Sequence, residues 1–329
     1  MRYIRRLSYG TSSVSVAEAA LTYSTHCRKA ILKRGKMEKL RLRRSARKDS
    51  ERIEELISDY YFKLVPVLDG FNKKEETVCK KIVDQEGNII AGCTGYIFPW
   101  GCMYVDDMWV DEKYRRQGLG SIALQEVEKV AESRGCHLIW LGTWDFQARP
   151  FYLKHGYTVF AALSDCPKGH IDYNLFKRLD NNRLKRLCEP IEYELMDGSE
   201  EDTEYICDQL DEGFNKEHLE IKHDYIKINR KLINRDGKVV AAIMAGVTEI
   251  DTGWIWKIWV DEGYRRQGLG TLLLKHFEKK AKEKGATKII SEEIYDWNVG
   301  FFEKAGYQVA GELKDLPKGH TLYIVDKDL

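Results

Sequence analysis

Twelve residues, Trp109 to Gly120 (WVDEKYRRQGLG), return as Trp259 to Gly270 (WVDEGYRRQGLG), with eleven of the twelve positions identical. A duplication this close constrains the whole chain. Its 329 residues are expected to fold as two related units of roughly 140 to 150 residues, each large enough to bury its own core. In each copy a β-like run (104–110 and 254–260) leads into the stretch and a helical pattern (121–134 and 271–284) follows it. A strand, a glycine turn and a helix N-terminus leave backbone N–H groups without intrahelical partners, and those groups can converge on an anion. The turn therefore reads as a phosphate site. Gly118 and Gly120 carry no Cβ, so a phosphate can approach the backbone, while Arg115, Arg116, Arg265 and Arg266 add positive charge. Neither copy has the Gly-x-Gly-x-x-Gly spacing of a dinucleotide site or the lysine of an NTPase loop, so those nucleotide sites fit poorly.

Charge is divided unevenly along the chain. Residues 1–48 carry fourteen Lys or Arg against two acids, whereas the remaining 281 carry 39 basic against 50 acidic residues. The acidic body suits a small cationic substrate and argues against a nucleic-acid role; a merely solvated surface is the alternative. No apolar run approaches the roughly 20 residues that span a bilayer, so no membrane partner is expected. The eight cysteines form no CxxC pair and share no spacing between the repeats, so they read as buried or incidental thiols of a reducing, cytoplasmic compartment rather than a disulfide framework or metal site.

Residues 1–36 stand outside the repeat, rich in Arg, Ser and Thr with Glu18 as their one acid. An organellar transit peptide, a disordered basic tail and a reading frame opened before a true start at Met37 all remain open. The repeats are placed at 37–187 and 188–329, meeting near Cys188-Glu189-Pro190. Each opens with an alternating run (Leu40-Arg41-Leu42; Ile191 to Leu195) followed by a helix, with Asp49-Ser50 and Ser199 as N-cap candidates. Both reach Gly-Phe-Asn, at 70–72 and 213–215, read as loops that shape a pocket. Strands are expected at 89–97, 104–110 and 137–141, with counterparts at 239–247, 254–260 and 288–290. Helical segments ending at His155 and Ala305 lead to final strand pairs. Those pairs are joined through Asp165 to His170 and Asp315 to His320, which makes the two histidines hairpin residues. The basic run Lys177 to Lys185 reads as a solvated connection.

This order of elements resembles the GNAT superfamily of N-acetyltransferases over nearly all of residues 38–329, as two tandem copies. The superfamily's acetyl-CoA signature, Arg/Gln-x-x-Gly-x-Gly/Ala after a strand, is met by Arg115, Gly118 and Gly120 and by Arg265, Gly268 and Gly270. A second signature, Asn-x-x-Ala-x-x-x-Tyr-x-x-x-Gly-Phe, is approximated by Asp145, Ala148, Tyr152, Gly156 and Tyr157. The resemblance implies an α/β fold of two domains, each a mostly antiparallel sheet flanked by helices. It implies that the turns Arg115-Arg116-Gln117-Gly118-Leu119-Gly120 and Arg265-Arg266-Gln267-Gly268-Leu269-Gly270 bind the CoA pyrophosphate. It also implies that the strands ending at Val110 and Val260 splay from their neighbours to admit the pantetheine. The co-substrate is acetyl-CoA, no metal is expected, and the acceptor is a primary amine of a small cation or a peptide.

Acetyl transfer from a thioester to an amine needs a neutral amine, a donor to the developing oxyanion and a proton for the departing thiolate. A backbone N–H near Val110 is implied for the oxyanion. Tyr152 is implied as the proton donor, with a core aromatic as the alternative. Strand alternation puts Tyr104, Asp106, Met108 and Val110 on one face and makes Asp106 the best-placed base, directly or through water, with an exposed strand acid as the alternative. Trp109, Trp140 and Trp144 fit core packing. In the second repeat Tyr152 becomes Phe302 and Asp106 becomes Trp256. Tyr295, Asp296 and Asn298 could substitute only through a one-residue shift, and Trp254, Trp256 and Trp259 are expected to fill or wall the pocket. The first half is therefore the expected catalyst. The second half is expected to bind acetyl-CoA, an acyl-CoA-binding module with little turnover being the alternative function. No cysteine sits at a matched motif position, which favours direct attack without a covalent enzyme intermediate.

Overall fold

The computed structural model describes residues 40–179, 193–220 and 223–329. The tail 1–36, Met37, Cys27, the join with Cys188-Glu189-Pro190 and the basic run beyond residue 179 lie outside the described residues. The first repeat opens with β1 (Arg41–Arg44) and α1 (Arg47–Leu64), then lays down β2 (Glu76–Val83), β3 (Ile89–Phe98) and β4 (Cys102–Val110). Helix α2 (Leu119–Ser133), β5 (Leu138–Trp144), the short α3 (Arg149–Lys154), β6 (Thr158–Ser164) and β7 (Ile171–Arg178) complete it. The second repeat opens with β8 (Glu194–Asp197) and α4 (Glu200–Gln209), which continues into a π-helical segment, Leu210–Asn215. There follow β9 (Ile226–Lys227), β10 (Arg230–Ile233), β11 (Val239–Val247), β12 (Thr252–Val260) and α5 (Leu269–Glu283). It ends with β13 (Lys288–Tyr295), α6 (Val299–Lys304), β14 (Gln308–Lys314) and β15 (Thr321–Asp328).

All the strands belong to one continuous mixed sheet. Its pairs are antiparallel except β4 with β5 and β12 with β13, the two places where a helix carries the chain back to start a parallel neighbour. Those helices, α2 and α5, bury one stripe each. Leu119, Ala123, Leu124, Val127 and Ala131 recur at helical spacing on α2, and Leu269, Leu273, Leu274, Phe277 and Ala281 on α5. Each stripe covers a core of its own half.

The repeats trade their opening elements. Strand β1 pairs with β10 of the second half, Leu42 opposite Leu232, while β8 pairs with β2 of the first, Leu195 opposite Ile82. Helices follow their strands: Ile53 and Ile57 of α1 bury against Ala242 and Trp259, and Ile206 of α4 buries against Cys79 and Trp109. Each fully buried isoleucine contributes about 1.5–3 kcal/mol, so neither exchange is a marginal contact. Helix α4 starts with a full capping box and α1 with only its acidic half, since the Ala46 side chain cannot accept; in both, the acid at the third position also meets a lysine of the opposite half. Asp49 meets Lys231, and Asp202 meets Lys81 at 2.9 Å. Asp49 is thus not the N-cap residue expected from sequence; Ala46 is, and Asp49 accepts its backbone N–H at 2.7 Å.

The two halves join where β6 and β14 meet through the single registered pair Ala161 and Gly311. A Cβ on Gly311 would lie 2.3 Å from both the Ala161 Cβ and the Phe160 carbonyl oxygen, so this seam requires glycine. Aromatic packing from both halves widens the seam, with Tyr96, Phe98, Tyr104, Trp140, Tyr295 and Leu316 in one cluster. Two expectations fail here for physical reasons. The Gly-Phe-Asn at 213–215 is helical rather than a loop, because α4 runs on through it and Asn215 is buried against Gln147. Lys177 is not solvated: it is buried on β7 and donates to the fully buried Glu128 of α2 at 2.7 Å.

Candidate functional site

Strand β4 pairs with β5 only through Cys102, Met103 and Tyr104. Beyond Tyr104 the two strands diverge, although β4 continues to Val110 and β5 to Trp144. The second half repeats this, β12 pairing with β13 only from Thr252 to Trp254. A β-bulge accompanies each opening. Asp106 and Asp107 stand against the single residue Thr94, whose hydroxyl accepts the Asp107 N–H at 3.1 Å, and Trp256 is the extra residue at the same place in β12. The bulge resets the alternation of β4 and overturns the expectation that Tyr104, Asp106, Met108 and Val110 share a face. Tyr104 packs toward the seam, whereas Met108 and Val110 pack with Met103 and Val105 on the α2 side.

At the end of each opened strand comes the repeated turn. Gly118 and Gly268 cap α2 and α5 with φ of 86° and 83°, and no side chain caps either helix. The first-turn N–H groups are therefore left for another acceptor. A Cβ on Gly118 would touch nothing, so conformation alone demands this glycine. At Gly120 a Cβ would lie 3.4 Å from Val110 and 3.8 Å from Phe151; at Gly270 it would lie 3.2 Å from Phe301. Arg116 and Arg266 also take positive φ, 63° and 60°, and are exposed. Arg115 and Arg265 turn back instead, each Nε donating to the carbonyl of Val110 or Val260 at 3.1 Å, which locks the turn to the strand end. The Gln117 and Gln267 side chains likewise fold onto Lys113 and Gly263.

These parts frame two clefts of similar size, about 570 Å³ in the first half and about 550 Å³ in the second. The first is lined by Val110, Arg115, Arg116, Gly118, Leu119, Gly120 and Tyr152, the second by Val260, Arg265, Arg266, Gly268, Leu269, Gly270 and Phe302. Asp106, Gln117 and Gln267 do not line them. Tyr152 lies on α3, nearly buried beside Tyr157, and Phe302 holds the matching place on α6 beside Tyr307. Tyr295 does not replace the lost phenol. It sits at the seam against Tyr61 and Trp297, and burial with Glu293 nearby pushes its hydroxyl well above the usual tyrosine range. Asp106 is buried, and its Oδ1 accepts no hydrogen bond among the described residues. Trp259 walls the second cleft, as expected, while Trp254 and Trp256 wall a different cavity at the seam.

Sequence reading missed the exchanged residues. Tyr60 and Tyr61 of α1 line the second cleft, where the Tyr60 hydroxyl accepts from Arg265 at 3.2 Å and its ring lies 4.3 Å below the guanidinium. Leu210, at the end of α4, lines the first, and Asn215 accepts from Gln147 in its wall at 2.7 Å. The described cysteines are free, and five of the six are buried. Burial pushes Cys136 up to about 12 and Cys93, Cys102 and Cys166 well above the usual thiol range, so these are poor nucleophiles.

The acetyltransferase (GNAT) family profile matches residues 43–157 and again 193–307. Blasticidin-S acetyltransferase from Streptomyces morookaense is 36% identical over 96 residues, 29% of this chain and 70% of that protein. An acetyltransferase from Bacillus cereus ATCC 14579 is 35% identical, covering 42% of this chain and 96% of its own, with a TM-score of 0.39. The ribosomal-protein-S18-alanine N-acetyltransferase from Escherichia coli is 22% identical, covering 36% and 75%, with a TM-score of 0.28.

Proposed function

This chain belongs to the GNAT acetyltransferase family and carries two of its domains in tandem, and from that premise we propose that the first cleft is where acetyl passes from acetyl-CoA to a primary amine. The observation that carries the assignment is Tyr152, a phenol lining the first cleft where Phe302 lines the second. In this reading both glycine turns bind pyrophosphate through the uncapped N–H groups of α2 and α5, with Arg116 and Arg266 free to add charge. The opened edges of β4 and β12 take the pantetheine, and a backbone N–H near Val110 meets the developing oxyanion.

The amine nitrogen attacks the thioester carbonyl, the C–N bond forms, the C–S bond breaks, and Tyr152 supplies the proton to the departing sulfur. We assign the proton shed by the amine to Asp106, whose unpartnered Oδ1 lies outside the cleft lining and would be reached only through water. The raised thiols support direct attack over a cysteine-bound intermediate. We divide the sequence at 37–187 and 188–329, with 1–36 outside both units. The acidic body and the likeness to an enzyme named for blasticidin S favour a small cationic acceptor over a peptide.

Phe302 favours a second reading for the second half, an acyl-CoA-binding module without turnover of its own. Thiol release from acetyl-CoA against a panel of amines, with the intact chain, tests both. Amine-dependent release is expected; acetyl-CoA binding with no release for any amine would leave only the binding module.

A further inference from the structure

A third cavity lies at the seam, lined by residues of both halves and enclosing about 120 Å³. It is too small for a drug-sized molecule, which fills roughly 300 Å³ or more, and suits the end of one. Its walls are aromatic: Tyr104 and Trp140 from the first half, Trp254 and Trp256 from the second, with Tyr61 reaching in on the exchanged helix.

Its charge comes from a local fault in a strand. Strand β13 pairs Ser291 with Val325 and Ile294 with Tyr323, so Glu292 and Glu293 stand opposite one residue of β15. The matching strand β5 runs against β7 without a break. Adjacent residues of a regular strand point to opposite faces; the bulge brings both carboxylates into the lining of one cavity. Glu292 accepts from Asn174 of the other half at 3.5 Å. Glu293 has no hydrogen bond or ion pair among the described residues, and its charge helps push the hydroxyls of Tyr61 and Tyr295 up. Lys73 and Glu75, both exposed, offset one another in the lining, and Lys257 is the remaining cation. A second feature is independent of the acids. Trp256 is 8% exposed and lines the cavity, yet its indole Nε1 has no acceptor, and neither has that of Trp100 in the same wall. A buried donor left without an acceptor costs about 1–3 kcal/mol.

We propose that this seam cavity binds a small organic ammonium carrying a hydrogen-bond acceptor, with Glu292 and Glu293 taking the cation, the aromatic walls packing against it, and the indole N–H groups meeting the acceptor. The cavity shares Ile57 and Tyr61 with the lining of the second cleft and shares no lining residue with the first. An amine held here therefore stands beside the second cleft. Its binding does not rest on the acetyl-transfer reading above, which concerns the first cleft.

Calorimetry on the full chain tests the site with tyramine and with 4-ethylphenol, which keeps ring and hydroxyl but lacks the ammonium. Tyramine is expected to bind at least about tenfold more tightly, and Glu292→Gln/Glu293→Gln to remove that advantage while acetyl-CoA affinity stays unchanged. Equal affinity for the two compounds, or undiminished tyramine binding by the double variant, overturns the proposal. If the double variant does not fold, Trp256→Phe carries the test. It is expected to weaken both compounds a few-fold, and unchanged affinities would overturn the site. A chain that discriminates the two compounds but transfers acetyl to no amine keeps this site and removes the transfer reading; acetyl transfer without discrimination does the reverse.

Discussion

The two clefts share a bulged strand, a left-handed glycine cap and a short helix in the same place, and they differ in the side chains around that frame. The first has Tyr152 and the aliphatic Leu210 as its visitor from the other repeat, with a buried Asp106 on the bulge behind it. The second has Phe302 and, as visitors, Tyr60 with Tyr61, while Trp256 on its bulge faces the seam cavity. What the clefts have in common is backbone geometry, positive φ at Gly118 and Gly268, which accepts few residue types, with Phe151 or Phe301 lying over the next glycine, at ordinary contact for Gly120 and tighter for Gly270. What separates them is proton chemistry and wall contacts, which such geometry leaves free to change. A repeat can therefore keep its glycine turn almost letter for letter while changing what the neighbouring side chains do.

The contrast can be broken most sharply at the turns. Gly120→Val and Gly270→Val each place a branched side chain against Phe151 or Phe301, and each is expected to weaken acetyl-CoA binding more than about 100-fold in its own half only, seen by calorimetry as one lost site. Retained stoichiometry would mean the turns are not the phosphate sites. Next in size, Tyr152→Phe makes the first cleft resemble the second. Turnover should fall about 10²–10³-fold with acetyl-CoA affinity nearly unchanged, and a rate within threefold of the parent would move the transfer step elsewhere.

The buried pairs under the clefts provide a stability comparison. Glu128 with Lys177 is almost wholly enclosed, whereas Glu278 with Lys327 is partly open to solvent. Denaturant titration should show Glu128→Gln costing about 3–5 kcal/mol and Glu278→Gln about 1 kcal/mol; equal losses would make the difference in burial irrelevant. A smaller effect tests the crossed walls. In a Gly120→Val background, where only the second cleft titrates, Tyr60→Phe should weaken acetyl-CoA binding a few-fold through the lost Arg265 contact. No change would make Tyr60 a bystander.

Acid sensitivity should also divide the halves. His276 accepts from Arg230 at 3.2 Å, and burial together with that guanidinium pushes the imidazole from 6.5 down to about 4. Between those values the unfolded chain binds the proton that the folded chain refuses, so stability is full above about 6.5 and falls as pH drops toward 4. The first half has Glu126 on the corresponding turn of α2. Melting curves across this range should flatten for His276→Gln, and an unaltered slope would assign the acid sensitivity to other groups.

The sequence made the frame of each half legible because that frame follows local rules. The strand at 104–110, the glycine turn and the helix after it are set by alternation, positive φ and helical spacing within thirty or so residues. The strands β2 and β10 were harder to see, being half-polar runs, ETVCKKIV and RKLI, whose lysines meet acids of the exchanged elements. The bulges were invisible for a different reason. One extra residue leaves the composition of a strand untouched while reversing the side on which every later residue falls, as Asp106 and the Glu292-Glu293 pair show. The crossed walls were the least legible: nothing around Tyr60 announces Arg265, two hundred residues later, as its partner.

The exchange of opening strands and helices gives the molecule the form of a symmetric dimer that has been written out as one polypeptide. Ala161 opposite Gly311 marks where the two-fold axis would pass. In such a molecule a change inherited by one repeat is expressed in its neighbour. The early residues of the first repeat wall the second cleft, and those of the second wall the first. Two copies joined this way can specialise, but only as a pair.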